Sequence, residues 1–412
     1  MKEILRNIRL AYNDVRNVNR VTFFFVLLVA YYILNLLTSP ITSGMSGGLE
    51  ADHNIVNQLS AGIFVGYVLF YDVFTSSKRS YMISRAVAIF LIYVAVITYV
   101  GFATDTAKHN IFSFSSLVNL CYWGCGLIFC IKFFNDVNAD NLKRMIQMLV
   151  WVFLVFVTYR LFTQKALLRS LGISMGINAA ASTYMIIPLI IMVFKGRLRF
   201  FLFLFCTFIC IYSAKRQAVV GLVIVSLFSL RILYQAYVHK RRFIMIIMFF
   251  IALYLGSGYL ERMFYDIVHR QERLVEREDE DSGRFALWTV AMSGFQNSDN
   301  TTQWFGGGPG TGRKYIGAFY PIARAPHNGY IQVLCDYGYI GLMLYAFFFL
   351  ALLFYVFKVK GLNNKLIYLS IGFSWIFANS ISHPGSLRFI FLAIGVGYVF
   401  YMQNNGKDKV ID

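Results

Sequence analysis

Apolar stretches separated by short polar breaks follow one another along nearly the whole chain. Lipid offers backbone N–H and C=O groups no hydrogen-bond partner, so each stretch is expected to be a helix, with about 20 apolar residues needed for a full crossing. Twelve runs are read on that basis: Val21 to Leu37, Asn57 to Phe74, Ile83 to Phe102, Ile111 to Ile131, Met145 to Phe162, Met175 to Phe194, Leu198 to Tyr212, Ala218 to Tyr234, Phe243 to Gly256, Tyr330 to Phe357, Leu366 to Ile381 and Phe389 to Met402. The seventh and ninth are short, as expected of tilted neighbours of longer helices or of helices that extend beyond the apolar run. The first run lies well inside the chain and lacks a small-residue cleavage site, so it reads as a retained span and not as a cleaved leader.

The pattern breaks once. Tyr259 to Pro326 is polar, and it carries a charged segment from Tyr259 to Asp281, then Ser282-Gly283-Arg284-Phe285-Ala286-Leu287-Trp288, then Gly306-Gly307-Gly308-Pro309-Gly310-Thr311-Gly312. It ends at Ala325-Pro326-His327-Asn328-Gly329-Tyr330, where apolar sequence resumes. The expected organisation is an all-α polytopic membrane protein with about twelve transmembrane helices. Residues 1–258 form a first membrane region of about nine helices, 259–326 one long loop, and 327–412 a closing region of about three helices.

Composition fits this reading. Of 412 residues, 58% are hydrophobic and 14% charged, with a mean hydropathy of +0.60, outside the balance of soluble domains. All six cysteines fall in or at the ends of apolar runs and none between Tyr259 and Pro326, which excludes a disulfide framework in the loop and matches no zinc spacing.

The net charge of +18 raises nucleic acid as a partner, but the distribution of the bases removes it. Basic residues cluster before the first run and after each even-numbered one, as at Lys78-Arg79, Lys195 to Arg199 and Lys240-Arg241-Arg242. That is the positive-inside pattern, with both termini cytoplasmic and the long loop on the opposite face. Bases at odd-numbered exits run against this bias and need another reason. They include Arg160, Lys165 and Arg169 around the expected loop after the fifth run, Lys215 and Arg216 in a tight turn after the seventh, and several in the long loop. An anionic ligand at the outer membrane face supplies that reason.

Each candidate has a plainer reading beside the chemical one. Lys215-Arg216 is either a snorkelling anchor or a phosphate ligand, since a guanidinium grips phosphate bidentately. Arg284 follows an N-cap sequence, Asp281-Ser282-Gly283, so it stands in the first turn of an expected helix. There it would add to the positive dipole end, or pair with the acidic run Glu276 to Asp281. That run reads as a solvated helix end or a divalent-metal site, and the expectation is chemistry without a metal. Gly307 to Lys314 nearly spells a phosphate-binding P-loop, but Arg313 stands where its lysine belongs and Lys314 where its serine or threonine belongs, which rejects nucleotide binding. The glycines then serve tight turns, or an anion nest. His327 is either structural or a general base, for which its ordinary pKa of about 6.5 is suited.

Ser213 to Ala218, Arg284 to Trp288, Gly306 to Gly310, and His327-Asn328-Gly329-Tyr330 with Tyr337-Gly338-Tyr339-Ile340-Gly341-Leu342 together resemble the O-antigen ligase and Wzy-type O-antigen polymerase superfamily, most strongly over residues 200–345. Lys215 and Gln217 depart from the small residues that often flank this arginine in the family. The resemblance implies a GT-C-type glycosyltransferase in the bacterial inner membrane, with its active site facing the periplasm and no cofactor. Donor and acceptor would be undecaprenyl-diphosphate-linked oligosaccharides, and a chain-length regulator is a possible partner. It further implies that Arg216 and Arg284 engage the donor diphosphate and that His327 activates or positions the acceptor hydroxyl. Lys215, Arg160, Arg169, Arg313 and Tyr330 are expected to assist binding. Polymerisation is the first expectation and ligation to lipid A core the second. A carrier for the same lipid-linked sugar is the third, disfavoured because the runs hold few ionisable groups at depth and show no inverted repeat.

Overall fold

The computed structural model describes residues 19–34, 62–69, 82–103, 111–170, 180–213, 215–236, 284–320, 325–381 and 389–404. All regular structure among them is helical, and every expected apolar run except the ninth falls on a described helix, in whole or in part. Helix α1 is Asn19–Leu34 and α2 covers 62–69. Helices α3 (Met82–Ala103), α4 (Ile111–Phe133) and α5 (Ala139–Ser170) follow. After a 3-10 segment, Ala180–Ile186, come α6 (Ile187–Val193), α7 (Gly196–Tyr212) and α8 (Arg216–Ala236). The polar region contributes three short helices, α9 (Arg284–Gln296), α10 (Asn300–Phe305) and α11 (Thr311–Gly317). The chain closes with α12 (Gly329–Phe354), α13 (Leu362–Ile381) and α14 (Phe389–Asn404).

Four described segments are long and apolar enough to cross a membrane: Met82–Gly101, Ala139–Gln164, Gln217–Tyr234 and Gly329–Lys358. The ninth run and the segment 259–283, with its acidic run, lie outside the described residues.

Aromatic residues fill the interior. Trp123 of α4 packs edge-on against Trp375 of α13 at 5.2 Å, and Phe24 of α1 stacks on Phe129 at 4.6 Å. Helix α14, buried on nearly every residue, runs along α4 at the centre. Close approach there depends on glycine, since a side chain at Gly397 would collide with Cys130. The six cysteines form no disulfide; five of them are buried and Cys121 is half-buried.

Three elements depart from the expected runs, each for a backbone reason. The sixth run breaks into a 3-10 segment and a 7-residue α6, because Pro188 at the helix start has no N–H to continue an α ladder from the preceding turn. The fifth run does not end at Phe162. Helix α5 continues to Ser170 over 32 residues, about 48 Å at 1.5 Å per residue, which exceeds a hydrocarbon core of about 30 Å.

The third departure is the tenth run, which is two arms and not one straight helix. In a continuous helix Tyr330 and Phe349 would stand about 28 Å apart along the axis. Their ring centroids are 6.0 Å apart, and those of Tyr330 and Tyr345 are 6.1 Å apart. The chain turns at Gly338, with φ 67° and ψ −170°, a region almost closed to other residues. Residues 329–337 therefore fold back toward the arm 339–354. The phenolic O–H of Tyr93 on α3 donates to the Tyr337 carbonyl at 3.0 Å, satisfying an acceptor that the bend exposes. A Cβ at Gly338 would also strike the Trp304 carbonyl. Gly338→Ala is expected to cost at least about 1–3 kcal/mol from backbone strain alone, seen as loss of monodisperse protein in detergent. A normally folded alanine variant would show that the bend is not required.

Candidate functional site

The polar region folds onto the short arm of α12. Leu287, Ala291 and Phe295 recur at the spacing of one helical face on α9 and meet Ile316 of α11 and Leu334 and Cys335 of the short arm in a second apolar cluster. The indole N–H of Trp288 donates to the Pro326 carbonyl at 2.7 Å, which ties α9 to the residue before His327. Arg284 is the first described residue of α9 and lies one turn before Trp288, on the same helical face. The expected helix following Arg284 is present, while Asp281-Ser282-Gly283, the expected N-cap, lie outside the described residues.

His327 is half-buried and has φ 54°, the only positive φ of a non-glycine residue among those described. Asn328 then caps the short arm, its side-chain oxygen accepting from Tyr330 N at 3.0 Å and Ile331 N at 3.2 Å. The left-handed residue and the cap together set the direction in which the chain enters the arm.

Helix α8 begins at Arg216, one short turn after α7 ends at Tyr212, as the adjoining apolar runs require. The Lys215 carbonyl accepts from Ala218 N at 3.0 Å, so Lys215 opens that helix and is half-buried. Phe228 stacks on Phe373 at 5.5 Å. One end further along, Tyr184 packs on Gly221 and lies 6.3 Å from Phe377. The two registers run α8 antiparallel to α13 and put the Arg216 end beside the C-terminal end of α13. The Tyr330 hydroxyl donates to the Ile376 carbonyl near that end, at 3.2 Å. The backbone thus gathers the start of α8, the start of α9 and His327 at one end of the helical bundle. The side chains of Arg216 and Arg169 lie outside what is described.

Three expected binding residues have a different setting from the one read in the sequence. Arg160 is not in a surface loop: it sits within α5, is 2% exposed, and places its guanidinium 5.9 Å from the Phe156 ring centre. Arg169 belongs to the same helix, because α5 continues through the expected loop. Tyr330 gives its hydroxyl proton to Ile376 and packs its ring on Tyr345 and Phe349, so packing of the two arms accounts for it. Arg313 stands half-buried in α11, within charge range of Asp336.

The glycine-rich segment has the tight turns expected of it, with positive φ at Gly306, Gly308 and Gly310. It also nests an anion, but the anion is the chain's own Asp336, 1% exposed on the short arm. Asp336 Oδ1 accepts from Gly312 N at 3.1 Å, and its carboxylate also takes the Gly310 N–H. Gln332 Nε2 donates to Oδ2 at 3.4 Å, and Gly308 N donates to the Asp336 backbone oxygen at 2.9 Å. Those amides are spent inside the protein and do not serve a ligand. The sequence signal for this was a lone carboxylate inside an apolar run, together with glycines at the P-loop spacing. Asp336→Ala strands the Gly310 and Gly312 amides, at about 1–3 kcal/mol for each buried group. A drop in thermal stability in detergent is expected, smaller for Asp336→Asn, which keeps an acceptor oxygen. An alanine variant as stable as the wild type would remove the carboxylate from this role.

At the far end of α9, Asp299 caps α10 by accepting from Thr302 N at 2.6 Å. The Thr302 backbone and hydroxyl donors hold its carboxyl below the ordinary range. Among the aromatic residues of the polar region, Phe319, Trp304 and Tyr320 are exposed, and Trp288 and Tyr315 are half-buried.

Residues 201–346 match the family described as O-antigen ligase (Wzy_C). The match takes in Lys215, Arg216, Arg284, Arg313, His327, Tyr330 and the bend at Gly338, and leaves out Arg160 and Arg169. A comparison with curated proteins gives no match.

Proposed function

We propose that the protein, whose residues 201–346 match the family described as O-antigen ligase, is a membrane glycosyltransferase that moves a growing glycan from undecaprenyl diphosphate onto the next lipid-linked repeat unit at the periplasmic face. The observation that carries this reading is the gathering of Arg284, His327 and the Arg216 end of α8 at one end of the bundle. The acceptor hydroxyl oxygen attacks the anomeric carbon while the bond from that carbon to the diphosphate oxygen breaks. The hydroxyl proton passes to the His327 imidazole, and the negative charge goes to the departing diphosphate. Fixed guanidinium groups stabilise that charge most where it develops, and the diphosphate ester itself supplies the driving force. Arg216 and Arg284 act on the diphosphate, and Lys215 and Arg313 add positive potential nearby. Arg160 supports the same end from within α5.

The family description favours a second reading, transfer of the finished glycan to lipid A core. The two reactions share a donor and differ in acceptor. The charge alternation supports an inner-membrane protein with cytoplasmic termini. Purified protein in liposomes, supplied with one defined lipid-linked repeat unit and no ion gradient, is expected to produce a ladder of longer lipid-linked glycans. Transfer only when lipid A core is added would establish the ligase instead. Movement of the substrate across the membrane without a new glycosidic bond would overturn both and leave a carrier.

A further inference from the structure

We infer that residues 300–312, α10 with the glycine-rich turn, form a re-entrant element sunk into one leaflet of the bilayer, with Trp304 and Phe305 against phospholipid acyl chains. It does not depend on which acceptor the enzyme uses.

Depth comes from α3, whose apolar stretch Met82–Gly101 is long enough to cross a membrane. The Tyr93 hydroxyl near its middle donates to the Phe305 carbonyl at 3.1 Å and the Tyr337 carbonyl at 3.0 Å. Gly308 packs higher on the same helix, where a Cβ would lie 3.6 Å from the Gly101 Cα. From residue 93 to residue 101 a helix rises about 12 Å. Side chains on a helix lean toward its N-terminus, so the Tyr93 hydroxyl stands no higher than its own turn. The Phe305 backbone is therefore held about 12 Å inside the Gly101 end of the span.

Backbone at that depth must satisfy its polar groups within the protein, and this segment does so. Gly306 N donates to Thr302 O at 2.8 Å, Gly307 N to Cys335 O at 3.5 Å, Gly308 N to Asp336 O at 2.9 Å and Thr311 N to Gly308 O at 3.2 Å. Pro309 has no N–H, and Gly310 and Gly312 donate to the Asp336 carboxylate. Every amide from 306 to 312 is accounted for without water. A buried carboxylate at this position supplies acceptors that solvent would provide to an ordinary loop.

The outward side of the element is apolar. Trp304 is 53% and Phe305 45% exposed, and they continue a surface formed by Tyr339 and Met343 of α12 and Val96 and Val100 of α3. An exposed aromatic pair on backbone held at hydrocarbon depth faces acyl chains.

Trp304 fluorescence tests this in proteoliposomes of phosphatidylcholine, taken as the difference between wild type and Trp304→Phe. Acyl chains brominated near mid-chain are expected to quench that emission strongly and aqueous iodide weakly. Quenching by iodide equal to or greater than that by brominated lipid would overturn the inference, as would quenching by neither. Phe305→Trp in the Trp304→Phe background repeats the reading at the next residue if Trp304→Phe folds poorly. Quenching by brominated lipid with glycan transfer absent would sustain the re-entrant element while removing the proposed function.

Discussion

Arg284→Ala is expected to lower glycan transfer by about 10²- to 10³-fold, the usual effect of removing one fixed donor from a developing oxyanion. Arg284→Lys should recover only a small part. The N-cap sequence Asp281-Ser282-Gly283 puts the residue in the expected first turn of its helix, where free backbone N–H groups and the positive end of the helix dipole favour an anion. A guanidinium adds two parallel N–H donors spaced for two phosphate oxygens, whereas an ammonium offers a single mobile point charge. Helix α9 is held by the Leu287, Ala291 and Phe295 face and by Trp288, so neither substitution touches what folds it. Transfer is measured with the defined lipid-linked donor in liposomes. A fully active lysine variant would show that charge alone matters, and a fully active alanine variant would move the diphosphate site elsewhere.

The contrast between Arg284 and Arg160 shows what residue order reveals and what it hides. The apolar spacing after Arg284 announces a helix, and α9 carries it from Arg284 to Gln296. Hydropathy makes Arg160 a loop cation because the apolar run ends near Phe162, yet α5 carries its ladder on to Ser170. A helix ends where capping and packing end it, and composition marks only where the lipid stops. Run ten shows the same gap more sharply. Bent and straight helices need the same apolar residues, so hydropathy reads Tyr330 to Phe357 as one span. The fold-back is decided by a positive φ at Gly338 and by partners distant in sequence, Trp304 and Tyr93. At 100° per residue Asp336 lies about half a turn out of phase with His327, and its carboxylate bonds to Gly312 and Gln332. Its partners lie in the glycine-rich segment, and a spacing rule within one helix does not reach across to another segment. The P-loop likeness of that segment marked a real capacity to cradle an anion, filled here from within the chain.

The His327 imidazole is expected to take the acceptor proton, so that its removal lowers turnover by about 10²-fold or more while donor binding stays nearly intact. The backbone makes the choice of variant matter. His327 has φ 54°, and an alanine in the left-handed region adds strain of about 1–2 kcal/mol that asparagine, common there, largely avoids. His327→Asn therefore keeps the entry into α12 and removes the base, whereas His327→Ala alters both. If histidine only shapes the turn, the asparagine variant should transfer glycan at nearly the wild-type rate and the alanine variant should lose folded protein. If histidine is the base, the asparagine variant folds, binds lipid-linked donor and is slow in single-turnover measurements with donor saturating, whatever the alanine variant loses through its backbone. A folded asparagine variant working at the wild-type rate would reject the base assignment. The arginines would then carry the reaction by stabilising the leaving diphosphate alone.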